Sequence, residues 1–165
     1  MTTPISFSCT KKQGEWVELQ FLARATGHGF TVSKPWGDST PYDFVLECNR
    51  TYHRVQVKST SIRSKGTYEC IINNTVHGRR QYQPGAFDFY AIFVMPENMW
   101  YLIPAADVKH QTAVCMNPRN PKNRYIRYLE AWHLFREPLK ENSAQVSGNT
   151  ASPQNSERND TSYVM

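Results

Sequence analysis

The sequence predicts an α/β protein, because three stretches carry three different apolar patterns. Lys11 to Thr26 places apolar residues at three- and four-residue steps, as a helix does. Tyr42 to Cys48 and Thr51 to Ser59 are short runs rich in β-branched and aromatic residues on either side of Asn49-Arg50, as the arms of a hairpin are. Phe87 to Val94 and Trp100 to Ile103 are almost continuously apolar, which suits strands inside a sheet.

In the helix, Trp16, Leu19, Leu22, Ala23 and Thr26 define the apolar stripe, and Gly27 stands where the helix should stop. Glu18 precedes Leu22 by four residues and Ala25 by seven, so it projects from the margin of that stripe. A carboxylate there needs a metal, or a basic partner such as Arg24 or Lys58. Glu15, one turn earlier, takes its place if the helix is rotated. Phe30 to Val32 then forms a short strand, and Lys34 to Pro41 a loop with two prolines, a glycine and Asp38, an alternative metal ligand.

The hairpin organises the rest of the chain. If Asn49-Arg50 is a two-residue turn, opposed positions sum to 99 and Asp43 faces Gln56. Side chains alternate along a strand, so Lys58 shares the face of Gln56, while Phe44, Leu46, Val55 and Val57 take the other. One face is then core, and the other carries an acid, an amide and an ammonium on a rigid scaffold. A three-residue loop would destroy this register; a four-residue loop would preserve its parity.

Beyond the hairpin, Ser59, Thr60, Arg63 and Lys65 form a polar, basic run with the donors for phosphate contacts, leading into a strand at Tyr68 to Ile72. Asn73 to Pro84 reads as a polar loop whose His77, Arg79, Arg80 and Gln81 have the chemistry to read base edges. After the two apolar strands come a helical turn at Pro104 to Val108 and a basic connection from Asn117 to Arg127. A helix from Tyr128 to Arg136 follows, anchored by Leu129, Trp132 and Leu134 or Phe135. From Leu139 the composition turns to Asn, Ser, Thr and Gln. The reading is one domain over 1–138 and a disordered polar tail over 139–165.

Composition narrows the classes. The chain has 165 residues and no apolar run near the ~20 that a membrane helix needs, so a cytoplasmic protein without a membrane partner is expected. Its four cysteines and five histidines are scattered without metal-ligand spacing, which argues against a zinc ribbon, a redox motif or a histidine-based metal site. Residues 1–138 hold 17 Lys and Arg against 11 Asp and Glu; the tail holds two against three. The folded part is the basic part, compatible with a polyanionic partner.

Asp43, twelve residues, then Gln56-x-Lys58, preceded by a helix with Gly14 and Glu18, resembles the signature of the PD-(D/E)XK nuclease superfamily. Among its branches, the run GEWVELQFLARATGHGFTVSKPWGDSTPYDFVL with RVQVKST and AWHL is similar to the endonucleases associated with group I introns. The similarity spans roughly Lys12 to Phe135. Two positions depart from the strict pattern: Pro41 stands one residue early, and Gln56 replaces an acid, a substitution the intron-associated branch accepts. The resemblance implies a restriction-endonuclease-like core with a central mixed β-sheet flanked by helices. It implies Glu18, Asp43, Gln56 and Lys58 as catalytic residues, with Glu18, Asp43 and Gln56 toward Mg²⁺, for which Mn²⁺ would substitute. Lys34 and Ser39, on the loop before Asp43, would touch the DNA backbone.

The expected activity is metal-dependent hydrolysis of duplex DNA at a specific site, as in homing endonucleases, by a homodimer or higher oligomer. A Holliday-junction resolvase or repair nuclease would use the same residues. A DNA-binding module that has lost catalysis is the contrasting class, supported by the missing acid at position 56, and a purely protein-interaction role is a third.

Overall fold

The computed structural model describes residues 7, 9–37, 39–73 and 82–137. Helix α1 (Thr10–Gly27) precedes eight strands: β1 (Thr31–Ser33), β2 (Phe44–Cys48), β3 (Thr51–Thr60), β4 (Arg63–Ser64), β5 (Thr67–Ile71), β6 (Phe89–Val94), β7 (Met99–Pro104) and β8 (Ala113–Met116). A five-stranded sheet runs β1-β2-β3-β6-β7, and a three-stranded sheet runs β4-β5-β8. The larger sheet is mixed: β3 pairs with β6 in parallel and its other pairings are antiparallel.

The hairpin register is the one the sequence predicts. Phe44 faces Val55, and the pairing steps regularly to Cys48 opposite Thr51. Asn49 and Arg50 have φ of 50° and 64°, the two left-handed residues that a type I′ turn requires and that match the twist of the arms.

Two apolar layers sandwich the sheet. On one side, Val17, Phe21 and Ala25 of α1 pack with Phe44, Leu46, Val55 and Val57, closed by Trp100, Trp132 and Phe135. Phe21 meets the rings of Phe44, Trp100 and Trp132 at 5.4–5.9 Å. On the other side, Tyr68, Cys70 and Ile72 pack with Val114 and Met116 of β8 against Tyr90, Ile92, Tyr101 and Ile103. The face opposite the helix is therefore a second core over much of its extent.

The helix is rotated from its predicted stripe. Val17, Phe21 and Ala25 are its buried residues. Leu19, Ala23 and Thr26 are exposed, with Trp16 and Leu22 at the margin. The left-handed residue after it is Gly29 (φ 84°) rather than Gly27. β6 lies inside the sheet as its composition predicts, whereas β7 ends it. Tyr101 of β7 nevertheless bridges Leu129, so its outer side is covered there.

The helix expected over Tyr128 to Arg136 is instead two 3-10 turns, Ile126–Tyr128 and Trp132–Arg136. Glu130, at φ 49°, breaks them apart. Its carboxylate accepts from the Trp100 amide and the Trp132 indole, both at 2.7 Å, so capturing that edge outweighs helical continuity. Trp132 and Phe135 are buried, as expected of anchors. Among the described residues no helix is long and apolar enough to cross a membrane.

Candidate active site

The site is built where the start of β2 meets the middle of β3. The Asp43 amide donates to the Val55 carbonyl at 2.9 Å, one position off the register that pairs Phe44 with Val55, and this bond fixes the acid at the end of the ladder. Asp43 Oδ2 accepts from Gln56 Nε2 at 2.6 Å and from the Val57 amide at 2.7 Å. Gln56 Nε2 also lies 3.3 Å from the Val57 carbonyl, so two oxygens from different strands converge on one point.

Burial pushes the Asp43 carboxyl up to about 6, the Val57 amide opposes this, the charge of Glu18 adds to it, and Lys58 and Lys34 pull it back down. An acid held in that balance gains from a nearby cation.

Glu18 stands at the margin of the helix's buried face, as predicted, but its partner is neither Arg24 nor Lys58. Lys34 Nζ lies 2.6 Å from Glu18 Oε2, with the lysine 61% and the glutamate 25% exposed. The same ammonium sits 5.7 Å from the Phe44 ring centroid, and that hydrogen bond with Glu18 raises its pKa. These residues, with Glu15, Leu22 and Val32, line a cleft of about 320 Å³. Glu15 thus shares the cleft without replacing Glu18.

Lys58 follows on the face of Gln56. Its ammonium donates to the Tyr82 hydroxyl at 3.3 Å and lies 5.6 Å from that ring's centroid. Tyr82 packs edge-on against Phe87 and Tyr90, which fixes the ring. Tyr82 was not singled out from the sequence, and only the composition of the polar loop in which it stands hinted at a site-facing segment.

The proposed DNA-contacting residues separate. Ser59 Oγ accepts from Gln13 Nε2 of α1 at 3.2 Å. Thr60 is 4% exposed, and its hydroxyl is committed to the Glu69 carbonyl and the Ile62 amide. It joins the two sheets, and the expectation of a phosphate donor there is corrected. Arg63 and Lys65 are exposed at the β4–β5 turn, where Lys65 and Gly66 hold positive φ. His77, Arg79, Arg80, Gln81 and Asp38 lie outside the described residues, as does the tail.

A divalent ion of the Mg²⁺ kind takes oxygen ligands, often only one or two carboxylates, and keeps several waters. The oxygens of Asp43, the Val57 carbonyl and the Gln56 amide, with Glu18 close enough to act on Asp43, fit that chemistry. No cluster of three or more His, Cys, Asp or Glu residues occurs among the described residues, so a site rich in charged ligands is not what they form.

Residues 8–135 match the model of the PD-(D/E)XK endonuclease family. The bacterial homing endonuclease I-Ssp6803I superposes with a TM-score of 0.66 at 29% identity, over 79% of this chain and 93% of that one. A Holliday junction resolvase, Hjc from Archaeoglobus fulgidus, aligns with a TM-score of 0.46 at 16% identity, over 70% of this chain and 93% of that one. No curated protein matches the sequence at a significant level. With this family match and this fold, the chain is a nuclease belonging to the PD-(D/E)XK endonuclease family.

Proposed function

We propose that the protein is a divalent-metal-dependent endonuclease of the homing type, hydrolysing phosphodiester bonds of duplex DNA at a specific site, with Mg²⁺ as cofactor and Mn²⁺ able to substitute. The observation that carries the reading is the convergence of Gln56 Nε2 and the Val57 amide on Asp43 Oδ2, at 2.6 and 2.7 Å, on the strand that also presents Lys58. The similarity to a bacterial homing endonuclease supports the choice of substrate class.

In this reading Asp43, Glu18 and the Gln56 carbonyl oxygen hold the metal. The bound ion supplies Lewis acidity to the phosphate and a lowered pKa to water. Gln56 brings no charge, so Glu18 restores the second carboxylate. Lys58, placed by Tyr82, orients the attacking water and balances charge growing on the phosphate oxygens. The water oxygen would bond to phosphorus and release a proton to solvent as the bond to the leaving deoxyribose oxygen breaks, and that oxygen would take up a proton from solvent in its place. Lys34, whose charge reaches the acid, would serve as a backbone contact, with Ser59, Arg63, Lys65, His77, Arg79 and Arg80 as further contacts along the chain. Cutting both strands with so small a domain favours a homodimer or larger assembly.

A second reading rests on the residue type alone: position 56 is Gln where the family pattern has an acid, as would suit a DNA-binding module without catalysis. The test is cleavage of a plasmid, a randomised-site duplex library and a four-way junction, with and without Mg²⁺ or Mn²⁺, by wild type, Asp43→Ala and Lys58→Ala. The nuclease reading expects metal-dependent cutting of duplex DNA that both substitutions abolish. Cutting confined to the junction would make the protein a resolvase. Binding without cutting of any substrate would favour the silent module.

A further inference from the structure

Trp36 is the most conspicuous side chain outside the proposed chemistry. It is 100% exposed, whereas Trp100 and Trp132 are buried and Trp16 packs against the core. Single exposed apolar residues are ordinary on a protein surface, so exposure alone assigns nothing. Three further features separate this one.

Both ends of its loop are fastened at the active site. Lys34, two residues before, holds Glu18 at 2.6 Å. Asp43, seven residues after, is the acid itself, and Thr40 ties the returning chain through a 3.0 Å bond to the Tyr42 carbonyl. Two peptide units keep the Trp36 backbone within about 7 Å of that of Lys34.

The backbone on either side of it is also specified. Pro35 fixes its own φ and restricts Lys34 before it, and Gly37 takes φ 78°, a left-handed turn that directs the chain back. Pro35 thus restricts the backbone from which the fully exposed indole projects.

Charge, finally, selects the occupant. The loop stands on a protein of net charge +5, which suits a polyanion, while its own Lys34 ammonium is already paired with Glu18.

We infer that Trp36 is a DNA contact that stacks its indole on a base or deoxyribose face beside the scissile phosphate; this rests on the reading of the protein as a duplex-cutting endonuclease. Stacking of this kind tolerates any sequence, because every base has a π-face. Trp36 thus acts in distorting or gripping the duplex at the cut, with the reading of sequence left to other groups.

The test titrates the full chain, as wild type, Trp36→Ala and Trp36→Phe, with a random-sequence 24-base-pair duplex in EDTA, following anisotropy and tryptophan emission at several salt concentrations. Expected are about a tenfold loss of affinity in Trp36→Ala, most of it restored by Trp36→Phe, and an unchanged salt slope, because no phosphate-neutralising charge is removed. Wild-type emission should be quenched on binding and the quench should vanish in Trp36→Phe. Because the residue is exposed, all three proteins should unfold at the same temperature. Equal affinity and an equal quench in wild type and variants would overturn this inference and leave the endonuclease reading standing. Failure of wild type to bind any duplex would overturn both. A change of sedimentation coefficient in Trp36→Ala with DNA affinity intact would assign the indole to a contact between copies, against the inference.

Discussion

The amide nitrogen of Gln56 lies 2.6 Å from Asp43 Oδ2, so a donated proton occupies the place where a second acid would set two negative charges face to face. Gln56→Glu should exchange that attraction for repulsion. In EDTA the variant should lose about 1–2 kcal/mol of stability and show a still higher Asp43 pKa, and added Mg²⁺ should restore more stability to it than to wild type. Urea titrations with and without Mg²⁺ measure this; equal Mg²⁺ effects in the two proteins would remove position 56 from the metal site.

Asp43 also sets a pH dependence. Its folded-state carboxyl is raised to about 6 from an ordinary 3.8, chiefly by burial. Between those values the folded state binds more protons than the unfolded chain, so stability rises as pH falls from about 6 and is lowest above it. The penalty above 6 is at most about 3 kcal/mol. Asp43→Asn, which keeps an acceptor for Gln56 or Val57, should abolish cleavage yet raise the unfolding midpoint of the metal-free protein at pH 8, with this pH slope gone. A slope unchanged in the variant would trace it to another group. Since a cation and a proton compete for the same carboxylate, apparent Mg²⁺ affinity should fall as pH drops below about 6.

Tyr82 holds Lys58 by its hydroxyl at 3.3 Å and by its ring face at 5.6 Å. Tyr82→Phe keeps the ring and removes the hydroxyl; Tyr82→Ala removes both. Single-turnover cleavage should slow about threefold in the first and about tenfold or more in the second, with duplex affinity nearly unchanged. Equal rates in all three would show that the lysine finds its position unaided.

Glu130 is expected to matter for stability alone. Its carboxylate carries two 2.7 Å bonds, to the Trp100 amide and the Trp132 indole, while its φ of 49° strains the backbone. Glu130→Ala should cost about 2–4 kcal/mol in urea unfolding, with DNA affinity per folded molecule unchanged. The Lys34–Glu18 pair gives a useful contrast, because Lys34→Ala should change the unfolding free energy by under about 1 kcal/mol.

The hairpin was legible because two local signals agree: alternation fixes the faces, and a two-residue turn fixes the register. That agreement set the register from Phe44 to Cys48; Asp43 stands just before its first pair and meets Gln56 through the side chain. The helix was legible in extent but not in rotation. Apolar residues surround it, and the sheet's choice of Val17, Phe21 and Ala25 over Leu19 is decided by aromatic partners distant in sequence. Non-local pairing also hid the second sheet, since Tyr68 finds Met116 across the whole β6–β7 unit. The Glu18 partner and the Tyr82 contact escaped for the same reason. Glu130 misled because its residues have ordinary helical propensity, and only the strand edge beside it outweighs them.

The two-residue turn at Asn49-Arg50 has a kinetic consequence. Acid, amide and ammonium all lie on one hairpin, whose closure joins near neighbours in sequence, whereas the parallel β3–β6 pairing and the β5–β8 pairing must close long stretches of chain. The hairpin part of the candidate site can thus assemble early and locally, on the microsecond scale typical of hairpins, before Glu18 of α1 joins it. Slow steps in refolding belong to the sheet that surrounds them.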